Sequence, residues 1–365
     1  MTGRTHRAAN ERIKRDYLIY LKAAKRLSAP SIDKAAAAID RYLDFGKGRD
    51  LKKFHRAHVT AFVEDFVSST SPVTNKPLSA STINGTLKAL RGFAHWLAEQ
   101  PGYKRAISHT DAEYFGSSEA KAEARGSLRE KTPPTVEEIH RVIALMPAET
   151  EIEKRDRAVV AFTILTGARD AATASFQLKH VDIEQRVLVQ DGRESKIKFG
   201  KRFRTWFFPV KGEAEAIVGD WVRLLRDGLG FGPDDPLFPR TKIGVGEGGG
   251  FEVAGLDRAP WSNAGPIRKI FRTAFERAGL PYANPHLFRD TLALYGLDVC
   301  PTLRELQGWS QNLGHESLLT TIQNYAKFSD AEMAKLIQGV GDPAPTPDIV
   351  ETARALRALL SQLPA

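Results

Sequence analysis

The sequence predicts a mainly α-helical chain with a small antiparallel β-sheet, divided into two domains. Three observations lead there. Four amphipathic stretches fill the first hundred residues, a polar and nearly core-free stretch follows at 116–134, and a short run of strand-like segments then interrupts a second set of helices. With 365 residues, 42% of them hydrophobic and 27% charged, each domain can bury a core of its own.

The first domain, 1–115, is read from "NERIKRDYLIYLKAAKRL" (10–27), "SIDKAAAAIDRYLDFG" (31–46), "RAHVTAFVEDFVSS" (56–69) and "SASTINGTLKALRGFAHWLAEQ" (79–100). Each repeats apolar residues at spacings of three and four, and the short loops between them suit a helical bundle. Ser31 and Ser79 are the expected N-caps, and Gly46 is expected to stop the second helix. Residues 116–134, "GSSEAKAEARGSLREKTPP", read as an interdomain linker. A second domain, 135–340, opens at "TVEEIHRVIALM", where Thr135 and Glu138 form the S/T-x-x-E pattern of a capping box.

Two helices then lead to the strand-like segments "RVLVQ" (186–190), "ESKIKF" (194–199) and "RFRTWFFPV" (202–210), with a tight turn at Gly200-Lys201. Helices are expected again at about 211–227 and 263–278. The intervening "GVGEGGG" (244–250) reads as a mobile loop, because it lacks the strand–turn–helix setting and G-K-[ST] ending of a phosphate cradle. From Asn284 the chain is expected to stay helical to about residue 339. "GDPAPTPD" then breaks it, and an amphipathic tail, "IVETARALRALLSQL", closes 341–365.

Composition narrows the function. No run approaches 18 uninterrupted apolar residues, so no membrane span is expected, and the N-terminus lacks the apolar stretch of a secretory signal. A single cysteine, Cys300, excludes an internal disulfide framework and fits a reducing, cytoplasmic setting. Clustered-cysteine zinc sites are excluded as well, and the nine histidines show no H-E-x-x-H spacing, so no metal or cofactor is expected. The net charge of +9 is carried by residues 1–60, which hold 15 Lys/Arg against 6 Asp/Glu, while the remainder balances to zero. That asymmetry suits a polyanion, most plainly nucleic acid; a solvated basic surface is the alternative.

Several short motifs could carry chemistry. In "NPHLFRD" (284–290), Asn284 can cap a helix that Pro285 enters, which leaves His286 and Arg289 in the first turn. An arginine fork and an imidazole at a helix N-terminus make an anion site, or only a surface pair. "LTGARD" places Arg169 just after Thr166-Gly167, either as a functional cation or beside a glycine helix cap. "SKIKFGKRFR" puts Lys196 and Lys198 on one face of a strand, as edge-protecting lysines would also be. In "LGHESLLTTIQNYAKFS", Leu318, Ile322 and Tyr325 lie on one helical stripe, so Tyr325 is either a core residue or a nucleophile mounted on an apolar face.

Taken in order, "TGAR", the hairpin lysine, "HLFR" and "LGHES" through Tyr325 resemble the tyrosine recombinase (phage integrase) family over about residues 135–340. The first domain resembles that family's SAM-like core-binding domain. The resemblance implies an α/β catalytic domain and a C-shaped clamp around double-stranded DNA. Arg169 and Arg289 would clamp the scissile phosphate, His286 would act as base, and His315 would hydrogen-bond the phosphate. Lys198, preferred to Lys196 for lying nearer the turn, would protonate the leaving oxygen. Tyr325 would attack phosphorus to give a 3′-phosphotyrosyl link without metal or ATP. The departures are Ala172 where the family often has an acid, Asp290 where a histidine is common, and a long "LDVCPTLRELQGWSQNLGH" link.

The expected partners are DNA and further copies, four protomers on two duplexes or a related recombinase, with an accessory DNA-bending protein allowed for and a cytoplasmic, nucleoid-associated location. The tail is expected either to dock on a neighbour or to pack on its own domain. No additional arm-binding domain is evident, which leans towards Xer-like or mobile-element recombinases. Two other readings stand beside this one: a catalytically silent DNA-binding regulator of the same fold, and a DNA-relaxing enzyme of the type IB topoisomerase kind.

Overall fold

The computed structural model describes residues 3–72, 74–116, 132–190, 203–245 and 249–314, and the chain forms two compact units, 1–132 and 133–365. Both are mainly helical, with small antiparallel sheets in the second.

In the first unit, α1 (Gly3–Ala23), α2 (Ala29–Phe45), α3 (Arg56–Ser68) and α4 (Ala80–Ala98) follow the four amphipathic stretches, and a short α5 (His109–Ala112) closes the set. Their apolar stripes meet in one core. Ile39, Val59, Phe62, Leu87, Leu90 and Leu97 are buried there, with Tyr42 set edge-on against Phe62 and Phe115 at 5.2 and 5.1 Å. Buried Asn10 ties α1 to the loop after α2 by donating to the Arg49 carbonyl at 2.8 Å, so its polar group is satisfied. Ser79 caps α4 as expected, accepting from Thr82 N. Ser31 does not cap α2. That helix starts three residues earlier, after Ser28, because Pro30 fits the first turn, where an N–H is dispensable. The chain turns at Gly46 through Lys47 and Gly48, both at positive φ.

The second unit is built around α7 (Glu151–Thr166), which follows α6 (Val136–Ala144). Residues Ala158 to Thr166 of α7 are buried on every side, as a central helix requires. The capping box opening α6 is present, with Glu138 N donating to Thr135 Oγ1 and Thr135 N to Glu138 Oε2. After a short α8 (Asp170–Thr173), strands β1 (Val181–Asp182), β2 (Val187–Gln190) and β3 (Phe203–Trp206) form an antiparallel sheet in that order, with Val181 opposite Leu188 and Val187 opposite Trp206. The expected strand 194–199, its turn and the linker at 117–131 lie outside the described residues.

Beyond α9 (Ala214–Arg223) the structure corrects the reading of "GVGEGGG". Arg240–Val245 (β4) and Phe251–Asp257 (β5) pair as an antiparallel hairpin, so this stretch, of which 246–248 lie outside the described residues, joins two strands and is not a loop between helices. Helices α10 (Gly265–Arg277), α11 (Pro285–Val299) and α12 (Leu303–Asn312) complete the unit. The helix expected from Asn284 to about 339 is broken at Cys300–Thr302. Pro301 cannot continue α11, and Thr302 caps α12 through Glu305.

Candidate active site

The site is best built outward from the end of α7. Gly167 terminates that helix in the left-handed region at φ 58°, which favours glycine. Space demands glycine too: a Cβ there would stand 3.0 Å from Leu313 and 3.1 Å from Leu292. The turn therefore lies directly against α11 and the end of α12. Arg169 follows as the N-cap of α8 and is half-buried. Among the described residues, no hydrogen bond or ion pair engages its guanidinium. Its neighbour Asp170 is committed elsewhere, 2.8 Å from Arg268 Nε of α10, and Ala172 is buried in the core.

On α11, Asn284 caps as expected, its Oδ1 accepting from His286 N and Leu287 N. Those two N–H groups are thereby used within the chain. The first-turn side chains, more than the free helix end, are left to meet an anion. The pair His286 and Arg289 does not share one environment as the spacing suggested. His286 is exposed, whereas Arg289 is 4% exposed and turned inward. Arg289 Nη1 donates to the Gly167 carbonyl and Nη2 to the Leu313 carbonyl. One guanidinium thus joins the "TGAR" turn to the "LGH" segment, 122 residues before it and 24 after it. The planar fork of arginine makes that double bridge, which a lysine ammonium could not reproduce.

A second bridge comes from Asn312, which the sequence reading missed. Its Oδ1 accepts from Trp206 N and its Nδ2 donates to the Trp206 carbonyl, both at 2.8 Å, so the side chain pairs with β3 as another strand would. This ties the strand that follows the lysine segment to a residue two before Gly314. Trp309 supports the same corner: its Nε1 donates to the Leu292 carbonyl at 2.8 Å and its ring packs 4.7 Å from Phe208. Gly296 makes room for that ring, since a Cβ at 296 would stand 2.5 Å from Trp309 Nε1. Gly296→Ala is expected to lower the stability of this unit by about 1–3 kcal/mol, read as a shift of the urea midpoint.

Arg169, Arg289 and the residues leading to His315 are therefore gathered in one region, with His286 at its rim. Lys196, Lys198, His315 and Tyr325 themselves lie outside the described residues. A cleft of about 690 Å³ between α7, the β4–β5 hairpin and α10 holds none of these residues. Among the described residues, no three His, Cys, Asp or Glu side chains converge as metal ligands.

The fold is that of solved tyrosine recombinases and integrases, and the relatives of similar sequence are tyrosine recombinases. Residues 15–101 match the phage integrase N-terminal SAM-like domain. In sequence the chain is similar to tyrosine recombinase XerC. It is 24% identical over 316 residues to that of Escherichia coli O157:H7 (strain EC4115), covering 84% of this chain and 88% of XerC. To that of Escherichia coli strain ATCC 8739 it is 25% identical over 313 residues, with the same coverage. The lambda integrase (75–356) dimer bound to a COC′ core site shares its fold with a TM-score of 0.58 and 12% identity, covering 93% of this chain and 99% of that one. The Tn1549 transposon integrase in complex with circular intermediate DNA does so at 0.54 and 12%, over 89% and 98%.

Proposed function

We propose that this chain is a site-specific DNA recombinase that cuts and rejoins duplex DNA through a phosphotyrosyl intermediate. The observation that carries the reading is the Arg289 bridge. It draws the "TGAR" turn and the "LGH" segment to one guanidinium, so separate motifs serve one centre.

Arg169 and Arg289 are proposed to face the non-bridging oxygens of the scissile phosphate, where charge grows as phosphorus becomes five-coordinate. A preorganised donor of this kind contributes about 2.7–4 kcal/mol. The Tyr325 oxygen attacks phosphorus in line, the 5′-oxygen leaves, and Lys198 returns a proton to it. His286, exposed at the rim, is the candidate base, and His315 donates to the phosphate. The protein–DNA bond conserves the energy of the phosphodiester, so rejoining needs no ATP, and cationic side chains take the charge-neutralising part that a metal ion plays in other phosphoryl transfers. The chain is proposed to close on duplex DNA as a clamp and to recombine as four copies on two duplexes, in the cytoplasm. The test is incubation with target duplex in EDTA, followed by denaturing electrophoresis. A covalent adduct is expected, and its absence on every duplex that the protein binds specifically would overturn the reading.

The first unit is proposed to grip the phosphate backbone. Some of its cations are already committed: Lys14 pairs with Glu11 and Asp40, and Arg56 with Asp111. Lys22, Lys34 and Lys53 are exposed. Replacing these three by alanine is expected to weaken DNA binding and to flatten the log–log salt dependence by about 0.9 for each phosphate that is no longer neutralised. An unchanged slope would mean that this charge is only solvated surface.

A further inference from the structure

A carboxylate stands directly beside one of the two arginines proposed to meet the phosphate, since Asp170 follows Arg169 in the chain. The backbone of Arg169 is fixed: its carbonyl accepts from Thr173 N at 2.9 Å and from Thr173 Oγ1 at 3.2 Å. Its side chain is not. It makes no cap for α8, and among the described residues its guanidinium has no hydrogen bond or ion pair. An arginine followed by an aspartate can close on itself. Arg155 and Asp156 in α7 do so, with Nε and Nη2 of Arg155 donating to Asp156 Oδ1 at 2.9 and 2.7 Å. Closure of that kind at Arg169 would turn its donors onto a carboxylate that competes with phosphate for the same fork.

The Asp170 carboxylate is held away from it. Asp170 Oδ1 accepts from Ala171 N at 2.8 Å, and Oδ2 accepts from Arg268 Nε at 2.8 Å. Each oxygen has a partner, and neither partner is Arg169. Arg268 comes from the start of α10, 98 residues further along the chain, so no local spacing announces the contact. The Asp170 side chain is 22% exposed and that of Arg268 is 61% exposed. An ion pair so open to water adds little to stability. Its consequence lies in which cation the carboxylate takes, and in the charge left around Arg169. With Arg268 in place, the three side chains sum to one positive charge. Without it they sum to zero, beside a phosphate whose negative charge grows in the transition state.

We infer that Arg268 is a positioning residue for strand cleavage: by holding the Asp170 carboxylate, it leaves the Arg169 guanidinium free for the scissile phosphate. The inference rests on the reading of Arg169 as a phosphate clamp, and it adds a residue that lies outside the ordered motifs. Arg268 acts through Asp170. Its removal therefore matters only while residue 170 carries a charge, and this dependence separates it from a residue that braces the fold or contacts DNA itself.

The test is a mutant cycle on the full chain, comparing native protein, Arg268→Ala, Asp170→Asn and the double variant. Three quantities are read: the rate of covalent adduct formation at saturating target duplex in EDTA, the gel-shift affinity, and the urea midpoint. Asparagine keeps an oxygen to accept from Ala171 N and removes the charge. Arg268→Ala alone is expected to slow adduct formation about fivefold, the upper end for one partly exposed ion pair, while affinity and midpoint stay close to native. In the Asp170→Asn background the same substitution is expected to leave the rate unchanged, because no carboxylate remains to take Arg169. An equal loss in both backgrounds would overturn the inference, and so would a fall in affinity that Asp170→Asn does not restore, which would place Arg268 on the DNA. Arginine side-chain NMR of the protein without DNA reads the capture directly. The Arg169 Nε signal is expected to shift in Arg268→Ala and to return in the double variant, and a signal that does not move would overturn the inference as well. Native protein that forms no adduct would defeat the recombinase reading itself. Native protein that forms one no faster than Arg268→Ala does would defeat only the role of Arg268.

Discussion

Tyr325→Phe is expected to abolish the covalent protein–DNA adduct while leaving sequence-specific binding in place. The substitution removes one oxygen and keeps the ring, so the apolar stripe that the spacing of Leu318 and Ile322 predicts would retain its third member. The variant lacks the only group proposed to attack phosphorus, and loss of a nucleophile from a concerted catalytic set costs about 10⁴-fold or more in rate. A phenol with an ordinary pKa near 10 is a weak nucleophile at neutral pH, so its activity depends on the cations around it. The adduct is measured with end-labelled duplex in EDTA, and specific binding is measured in parallel by gel shift. An adduct that persists in the phenylalanine variant would place the nucleophile elsewhere. One that forms only with Mg²⁺ would remove the metal-independent mechanism.

The parts of the fold that were legible are those fixed by local chemistry. Apolar spacing marked all four long helices of the first unit, and the caps at Ser79, Thr135 and Asn284 are read from side chains that bond within three residues. Pro30 was the clue missed at α2, since it moves the start to Ser28 and leaves Ser31 inside the first turn. The β4–β5 hairpin was hidden for a different reason. Gly244 and Gly255 dilute the alternation of its strands, and Ile243, Val245, Phe251 and Val253 are exposed, so no buried face advertises a sheet. At the candidate site, the order of motifs named Arg169, His286 and Arg289, because residue types and spacing carry that information. The Asn312 contacts did not show in the sequence. They span 106 residues, and an asparagine that pairs with a distant strand looks like any other helix-end amide.

The two arginines should separate stability from chemistry. Arg289→Ala and Arg169→Ala are both expected to eliminate strand cleavage, yet only the first should weaken the fold. Arg289 is buried, and its removal leaves the Gly167 and Leu313 carbonyls without the donors that now satisfy them. At about 1–3 kcal/mol for each buried group left unpaired, the second unit should lose roughly 2–6 kcal/mol. Arg169 stands half-buried with its guanidinium uncommitted among the described residues, so its loss should change stability by no more than about 0.5 kcal/mol. Urea denaturation followed by tryptophan fluorescence measures this directly, since Trp309 packs beside the Arg289 bridge. Arg289→Lys should recover little, because one ammonium on a flexible stem cannot hold two carbonyls that the fork holds together. An unchanged midpoint in Arg289→Ala would show that the bridge adds nothing to the fold. An equal fall in Arg169→Ala would make Arg169 part of the scaffold too, and the phosphate would then have to be met by other cations.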